Sequence, residues 1–281
     1  MKIDCIYIIT LEELTEDYMQ TLHYKIAQLG FPGEYGFHIF PAINGAKIPE
    51  DQKYTVYNKW KMDNTNYEYW NRDIALGEIG CTLSHINVWE DAYKAGLNNI
   101  LVLEQDFIAT KECHLFPLED KGPDWEEIFS IDCDIFNLGN FKANNDPGVP
   151  LKGKEHILKD GTFLNTNAYL VTNKKAIETL ATSTARDILI PADEFLPAIT
   201  FPGHRRLDIR KLIEPKLTGV VYAKNEWPIC QDGNHRTVLA GVDSDLGREK
   251  LRELEIKSMI ASGDRFERPY EEGAEGFKEG I

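Results

Sequence analysis

The sequence predicts an α/β fold with one large core, and three observations predict it. Short, largely apolar runs at residues 3–9 and 100–103 read as strands buried on both faces, the pattern of parallel sheets. Between the first run and the next short one, at 38–40, lies a segment of helical character, and strand, helix, strand is how a parallel sheet opens. With 281 residues, 42% of them hydrophobic, the chain can bury one such core, or one core and a small appendage.

The elements follow in order. After the strand at 3–9, residues 15–29 read as a helix, with Thr15 able to cap its start and Gly30 to stop it. The second strand at 38–40 leads to an Asn44-Gly45 turn and then to a polar stretch, 54–70, carrying Tyr54, Tyr57, Trp60, Tyr67, Tyr69 and Trp70. Such rings either pack or offer flat apolar faces to a ligand. Leu83, Ile86, Trp89 and Tyr93 recur at helical spacing, so 83–93 reads as a helix against the sheet, closed by Gly96. The run at 100–103 is the next buried strand, and 134–138 another. Residues 140–159, rich in Gly, Pro, Asn and Lys, read as a mobile connection, either a surface loop or a lid over a ligand. A strand at 163–171 and a helix capped by Asn173 complete the pattern. Beyond Ser262, Glu267, Glu271, Glu272, Glu275 and Glu279 lie among glycines with few large apolar residues. The expected division is therefore a catalytic domain over 1–261 and an acidic, solvated tail over 262–281.

Composition excludes several classes. Forty-six acids against 31 bases leave a formal charge of −15, which opposes general attraction to nucleic acid or anionic membranes. The five cysteines, Cys5, Cys81, Cys113, Cys133 and Cys230, are scattered, odd in number and form no Cys-x-x-Cys pair, unlike a disulfide framework or a structural zinc site. No basic-then-apolar leader precedes Ile3, no run approaches the roughly 18 apolar residues of a membrane span, and no Asn-x-Ser/Thr sequon occurs. These features suggest a protein kept in a reducing cytoplasm and of bacterial or viral origin. Oligomeric state is open.

The most informative stretch is Leu101-Val102-Leu103-Glu104-Gln105-Asp106-Phe107, where an apolar run ends in two carboxylates one residue apart. In open α/β sheets ligands gather beyond the carboxyl ends of strands. Hard divalent cations bind there through one or two carboxylates while a substrate's phosphates complete the shell. Taken alone, such a pair more often only solvates a strand end.

Its surroundings add a resemblance. Gly77-Glu78-Ile79-Gly80-Cys81-Thr82-Leu83-Ser84-His85, then Trp89, then a strand ending in an acid triplet, resembles glycosyltransferase family 25, which includes lipooligosaccharide and procollagen galactosyltransferases. Ile190-Pro191-Ala192-Asp193-Glu194-Phe195-Leu196-Pro197 is similar to the Pro-x-Asp-Glu-Phe-Leu-Pro segment of the procollagen enzymes. Ile6-Tyr7-Ile8-Ile9-Thr10-Leu11 and Phe40-Pro41-Ala42-Ile43-Asn44-Gly45 resemble the family's first strand and second strand-turn. The resemblance implies a single Rossmann-like nucleotide-sugar-binding domain of the GT-A type, with a mixed, mostly parallel central sheet. It also implies a metal-dependent hexosyltransferase that inverts the anomeric carbon. The chain departs from the pattern at Gln105, where the family's triplet Glu-Asp-Asp has an acid, and in lacking the arginines that follow the first strand. A non-catalytic member acting as a binding or scaffold protein is the alternative those departures motivate.

Carried over residue by residue, the resemblance makes Asp106 the main ligand of Mn2+ or Mg2+, with Glu104 reaching the ion through water or the donor's ribose. A histidine from the C-terminal part, His235, would complete the metal site, with Gln231 and Asp232 as alternatives. Thr10, Glu78, Ser84, His85, Glu104 and Gln105 would surround the nucleotide sugar, UDP-galactose being the expected donor. Inversion needs a base on the opposite face of the sugar, and Asp193 or Glu194 suits that role; both would equally well favour a helix start. Arg205, Arg206, Arg210 and Lys211 could steer an acidic acceptor or contact phosphate, and a solvated helix face explains them almost as well. The expected acceptor is a hydroxyl of collagen-type hydroxylysine or of a saccharide such as lipooligosaccharide. No nucleic-acid partner is expected.

Overall fold

The apolar run at the start of the chain forms β1 (Cys5–Thr10), almost wholly buried. A computed structural model describes residues 2–231 apart from 12, 32–35, 50–53, 57–73, 110–122, 140, 143–147, 160–162, 165, 205–206 and 223–227. Residues 232–281, with the candidate metal ligands His235 and Asp232 and the expected acidic tail, thus lie outside the described residues, as does most of the aromatic stretch after Val56.

Helix α1 (Glu16–Gln28) starts where Thr15 Oγ1 accepts from Tyr18 N at 3.2 Å, as its cap predicts, and buries Leu22 and Ile26. Strand β2 (Phe37–Pro41) follows, then a short 3-10 turn, Gly45–Lys47, capped by Asn44. The next helix, α2, spans Leu76–Lys94 and so reaches back well before Leu83. Its extra turns carry Gly77 and Gly80, residues of poor helix propensity that hid the start. Gly80 is needed for contact instead: a Cβ there would come within 2.3 Å of Ile43 O and 2.6 Å of Gly45 N. The helix thereby lies directly on the turn after β2.

Strand β3 (Ile100–Glu104) is the buried run that ends in the acid pair, and a short β4 (Phe107–Ala109) follows. After α3 (Trp125–Phe129) come β5 (Ile135–Asn137), β6 (Phe141–Lys142), β7 (Val149–Leu151), β8 (Lys154–Lys159), β9 (Phe163–Leu164) and β10 (Ala168–Val171). Helices α4 (Lys174–Ala181), α5 (Ala192–Thr200) and α6 (Leu207–Leu212) precede β11 (Gly219–Tyr222) and β12 (Ile229–Gln231).

Eight strands make one sheet in the order β2-β1-β3-β10-β5-β11-β8-β7. β1 is parallel to β2 and β3, and β5 to β11, whereas β10 runs antiparallel to β3 and β5, and β8 to β11 and β7. Only β10 and β8 therefore oppose the common direction, so the sheet is mixed with most strands aligned. The register sets Ile9 beside Glu104, which brings the carboxyl ends of β1 and β3 together.

Alternate residues of each central strand enter two cores. Tyr7, Val102 and Tyr169 face α2, α4 and α5, while Ile6, Ile8, Leu101, Leu103 and Leu170 face α1 and α3. Burial on both faces is why these strands read as continuous apolar runs. The expected mobile connection over 140–159 is instead partly a hairpin: β7 and β8 join the sheet edge through β11, turning at Gly153, whose φ of +77° suits glycine. The expected strand over 163–171 is split, with β9 pairing β6 and only β10 entering the main sheet. Among the described residues, no helix is long and apolar enough to cross a membrane.

Candidate functional site

Helix α2 sends two side chains towards the end of β3 from one face, because Cys81 and His85 are one turn apart. His85 is fully buried, and both ring nitrogens are engaged. Nδ1 lies 2.9 Å from Tyr169 Oη and Nε2 3.1 Å from Glu104 Oε1. Trp89 Nε1, which can only donate, gives its hydrogen to Tyr169 Oη at 2.8 Å. The arrangement that satisfies every group then runs one way: Tyr169 donates to His85 Nδ1, and His85 Nε2–H donates to Glu104. Thr166 Oγ1 donates to the same carboxylate oxygen at 2.8 Å, and Glu104 N donates to Asn167 O at 2.8 Å. Glu104 is thus held by a buried polar relay, yet its side chain stays 22% exposed. It can meet a ligand; His85, at 0%, acts through it.

The middle residue of the triplet has a structural task. Gln105 Oε1 accepts from Leu11 N at 2.7 Å and from Thr10 Oγ1 at 2.9 Å, tying the ends of β1 and β3 together. Thr10 Oγ1 in turn lies 2.8 Å from Tyr18 Oη on α1. Lys25 Nζ donates to Gln105 O at 3.1 Å and sits 5.6 Å from the Phe107 ring centre, which sets a cation beside the acid loop. Two other residues expected at the nucleotide sugar are also occupied. Ser84 is fully buried, donating to Gly80 O at 2.7 Å and accepting from Ile43 N at 2.8 Å. The Glu78 carboxylate accepts from Ala75 N at 2.7 Å and caps the start of α2. The hydroxyls of Thr10 and Ser84 and the imidazole of His85 therefore build the site's frame.

The two candidate bases part company. Asp193 and Glu194 share the first turn of α5, whose start Thr82 pins to α2: Ala192 N donates to Thr82 Oγ1 at 3.1 Å. Glu194 turns into the core, 2% exposed, with His204 Nε2 3.1 Å from its Oε2. Asp193 stays partly exposed. His204, which no sequence signal marked, is fully buried.

Cys81 feels the charge of several acids. Burial first, then the charges of Glu104, Asp193, Asp106 and Glu78, push the Cys81 thiol well above its ordinary value. Glu104 ends β3 beside Ile9 of β1, with Asp106 two residues on, where the sequence placed a metal. Glu104 and Asp106 offer hard oxygen donors, the type that suits Mn2+ or Mg2+; the group whose ligand atoms lie within 4.8 Å of one another among the described residues is Cys81, His85 and Glu104. His85 is an internal link in the resting site, and His235 lies outside the described residues. Arg210 and Lys211, in the last turn of α6, are exposed. Cys81, Trp89, Thr166 and Tyr169 were not foreseen as site residues; a helix begun at Leu76 would have revealed Glu78, Cys81 and His85 on one face.

The chain matches the family model described as "Glycosyltransferase family 25 (LPS biosynthesis protein)" over residues 3–196. A "Glycosyltransferase 25 family member" of Anopheles gambiae is 27% identical over 210 residues, 73% of this chain and 33% of the relative. One of Drosophila melanogaster is 24% identical over 209 residues, 73% of this chain and 32% of the relative. A Bos taurus protein named "Probable inactive glycosyltransferase 25 family member 3" is 32% identical over 138 residues, 48% of this chain and 22% of that protein. The chain spans about a third or less of the length of these relatives. All three come from animals, which conflicts with the expected bacterial or viral origin. That expectation rested on the scattered cysteines and on a missing leader, span and sequon, absences that cannot be weighed in a chain spanning so little of its relatives.

Proposed function

The chain belongs to glycosyltransferase family 25, and on that premise we propose that it transfers a hexose, galactose from UDP-galactose, to an acceptor hydroxyl with inversion and with the help of a divalent cation. The observation that carries this reading is the acid pair at the end of β3: Glu104, partly exposed and held by His85 and Thr166, and Asp106 two residues on. Like charges brought together at a strand end favour a cation between them.

Asp106, buried at the end of β3, and the partly exposed Glu104 are the residues that would hold Mn2+ or Mg2+. A divalent ion there supplies Lewis-acid neutralisation of a departing diphosphate. The chain's own groups do the rest. The Trp89, Tyr169 and His85 relay fixes the orientation of Glu104, and Gln105 keeps the ends of β1 and β3 in register. Asp193 takes the proton of the acceptor hydroxyl. It is preferred over Glu194 because a base must reach the acceptor, and Glu194 is sealed against His204. The acceptor is a collagen-type hydroxylysine or a saccharide hydroxyl, the Pro191 to Pro197 segment favouring the former.

A second reading, a non-catalytic binding protein, is favoured by Gln105 within the acid triplet and by the relative named probable inactive. Incubation with manganese and a panel of nucleotide sugars, with and without hydroxylysine peptide, separates the two. Nucleoside diphosphate released from one donor and lost on chelation supports the transferase. Absence of release from every donor, together with no metal-dependent donor binding by calorimetry, supports the non-catalytic reading.

A further inference from the structure

We propose that Cys81, His85 and Glu104 form a second, softer metal site that takes zinc and shares Glu104 with the hard-cation site. One ligand atom from each lies within 4.8 Å of the other two. Two of the ligands come from one face of α2 and the third from β3, so rigid elements hold all three.

The nitrogen-to-oxygen distance suits the ion, and Cys81 Sγ, within 4.8 Å of both atoms, has only a short way to close. Tetrahedral zinc with bonds of about 2.0–2.1 Å to nitrogen and oxygen sets those atoms about 3.3 Å apart. His85 Nε2 and Glu104 Oε1 are already 3.1 Å apart. Zinc would replace the single proton that joins them, with little movement of either side chain. The imidazole proton passes to Nδ1 and is donated to Tyr169 Oη at 2.9 Å, the outer partner that a metal-bound histidine requires. A phenol oxygen has two lone pairs, so Tyr169 accepts from Trp89 and His85 together, and its own hydrogen gives up the bond it made to Nδ1. The Cys81 thiol loses its proton to solvent as the sulfur binds, so one proton is released per ion. The exposed edge of Glu104 gives the ion a way in, and three protein ligands leave a fourth position for water. The carboxylates of Asp106, Asp193 and Glu78 favour the added positive charge.

Zinc so held withdraws Glu104 from the hard-cation site and inhibits transfer; this consequence alone rests on the function proposed above. The site itself is tested without any activity. Cobalt(II), a coloured substitute for zinc, is titrated into the full chain while thiolate-to-metal absorption is recorded. One equivalent is expected to give the absorption, zinc to displace it, and Cys81→Ser to abolish it while Cys5→Ser and Cys133→Ser retain it. Glu104→Gln should weaken cobalt binding at least about ten-fold. Should Cys81→Ser fold poorly, mapping of alkylated cysteines in the unaltered chain serves instead, with zinc expected to protect Cys81 selectively. Absorption that persists in a folded Cys81→Ser protein, no thiolate absorption at all, or equal alkylation of Cys81 with and without zinc would overturn the proposal.

Discussion

Replacing Tyr169 by Phe removes one oxygen and changes almost nothing else in shape, which isolates the buried relay behind Glu104. Tyr169 is fully buried, as are Trp89 and His85. Its hydroxyl accepts from Trp89 Nε1 at 2.8 Å and meets His85 Nδ1 at 2.9 Å. Removing it leaves two polar groups in the core without that partner, and no water reaches them from outside. Each such group costs about 1–3 kcal/mol, so the substitution should destabilise the fold by about 2–6 kcal/mol. For a chain of this size a loss near 3 kcal/mol corresponds to roughly 6–12 °C in Tm. Urea and thermal unfolding of the variant against the parent measure it directly. Burial also keeps the Tyr169 phenol protonated, its ionisation pushed well above the ordinary range, so the loss should not change between neutral and mildly alkaline pH. A Tm within about 2 °C of the parent's would refute the relay, since a contribution below 1 kcal/mol is what an uncoupled hydroxyl gives.

Other outcomes follow from the same geometry. Gly80→Ala drives a Cβ into Ile43 O and Gly45 N, neither of which can swing aside, and should cost about 1–3 kcal/mol or more in urea unfolding. Asp193→Asn should lower turnover about 10²–10⁴-fold while donor binding by calorimetry persists, whereas Glu194→Gln should show itself first as lost thermal stability. Burial raises the Asp134 carboxyl, but the hydrogen bonds from Asn173 and Thr218 and the charge of Lys175 outweigh it and hold the group below its ordinary value. A depressed folded-state value stabilises above the unfolded value and is lost as pH falls through the folded one. Acid unfolding below about pH 4 should therefore be shallower in Asp134→Asn than in the parent, and equal slopes would contradict that assignment.

The parts of the fold that could be read from the sequence were those decided locally. Residues 3–9 and 100–103 declare themselves because both faces of β1 and β3 are buried, and Thr15 marks α1 because its cap is a local hydrogen bond. The start of α2 escaped notice because Gly80 answers to Ile43 and Gly45, which touch it only in the folded chain. The β7–β8 hairpin hid in a composition typical of loops, and only its pairing with β11 makes it part of the sheet. Within the site, the acid pair at the end of β3 was legible, because strand ends and carboxylates are both visible in sequence. The framing tasks of Ser84, Gln105 and Glu78 were not, since each depends on where a backbone group arrives. Nor could two adjacent acids be told apart before His204 came to lie against Glu194 rather than Asp193.

The most direct test of the account is nucleoside diphosphate release from UDP-galactose, with manganese and an acceptor hydroxyl present, by the parent chain and by Asp106→Ala. Loss of the residue expected to hold the cation removes several kcal/mol of charge stabilisation, so release should fall at least about a hundred-fold in the folded variant. Release that is insensitive to chelation and unchanged in Asp106→Ala would contradict the central claim that the acids at the end of β3 hold a catalytic cation.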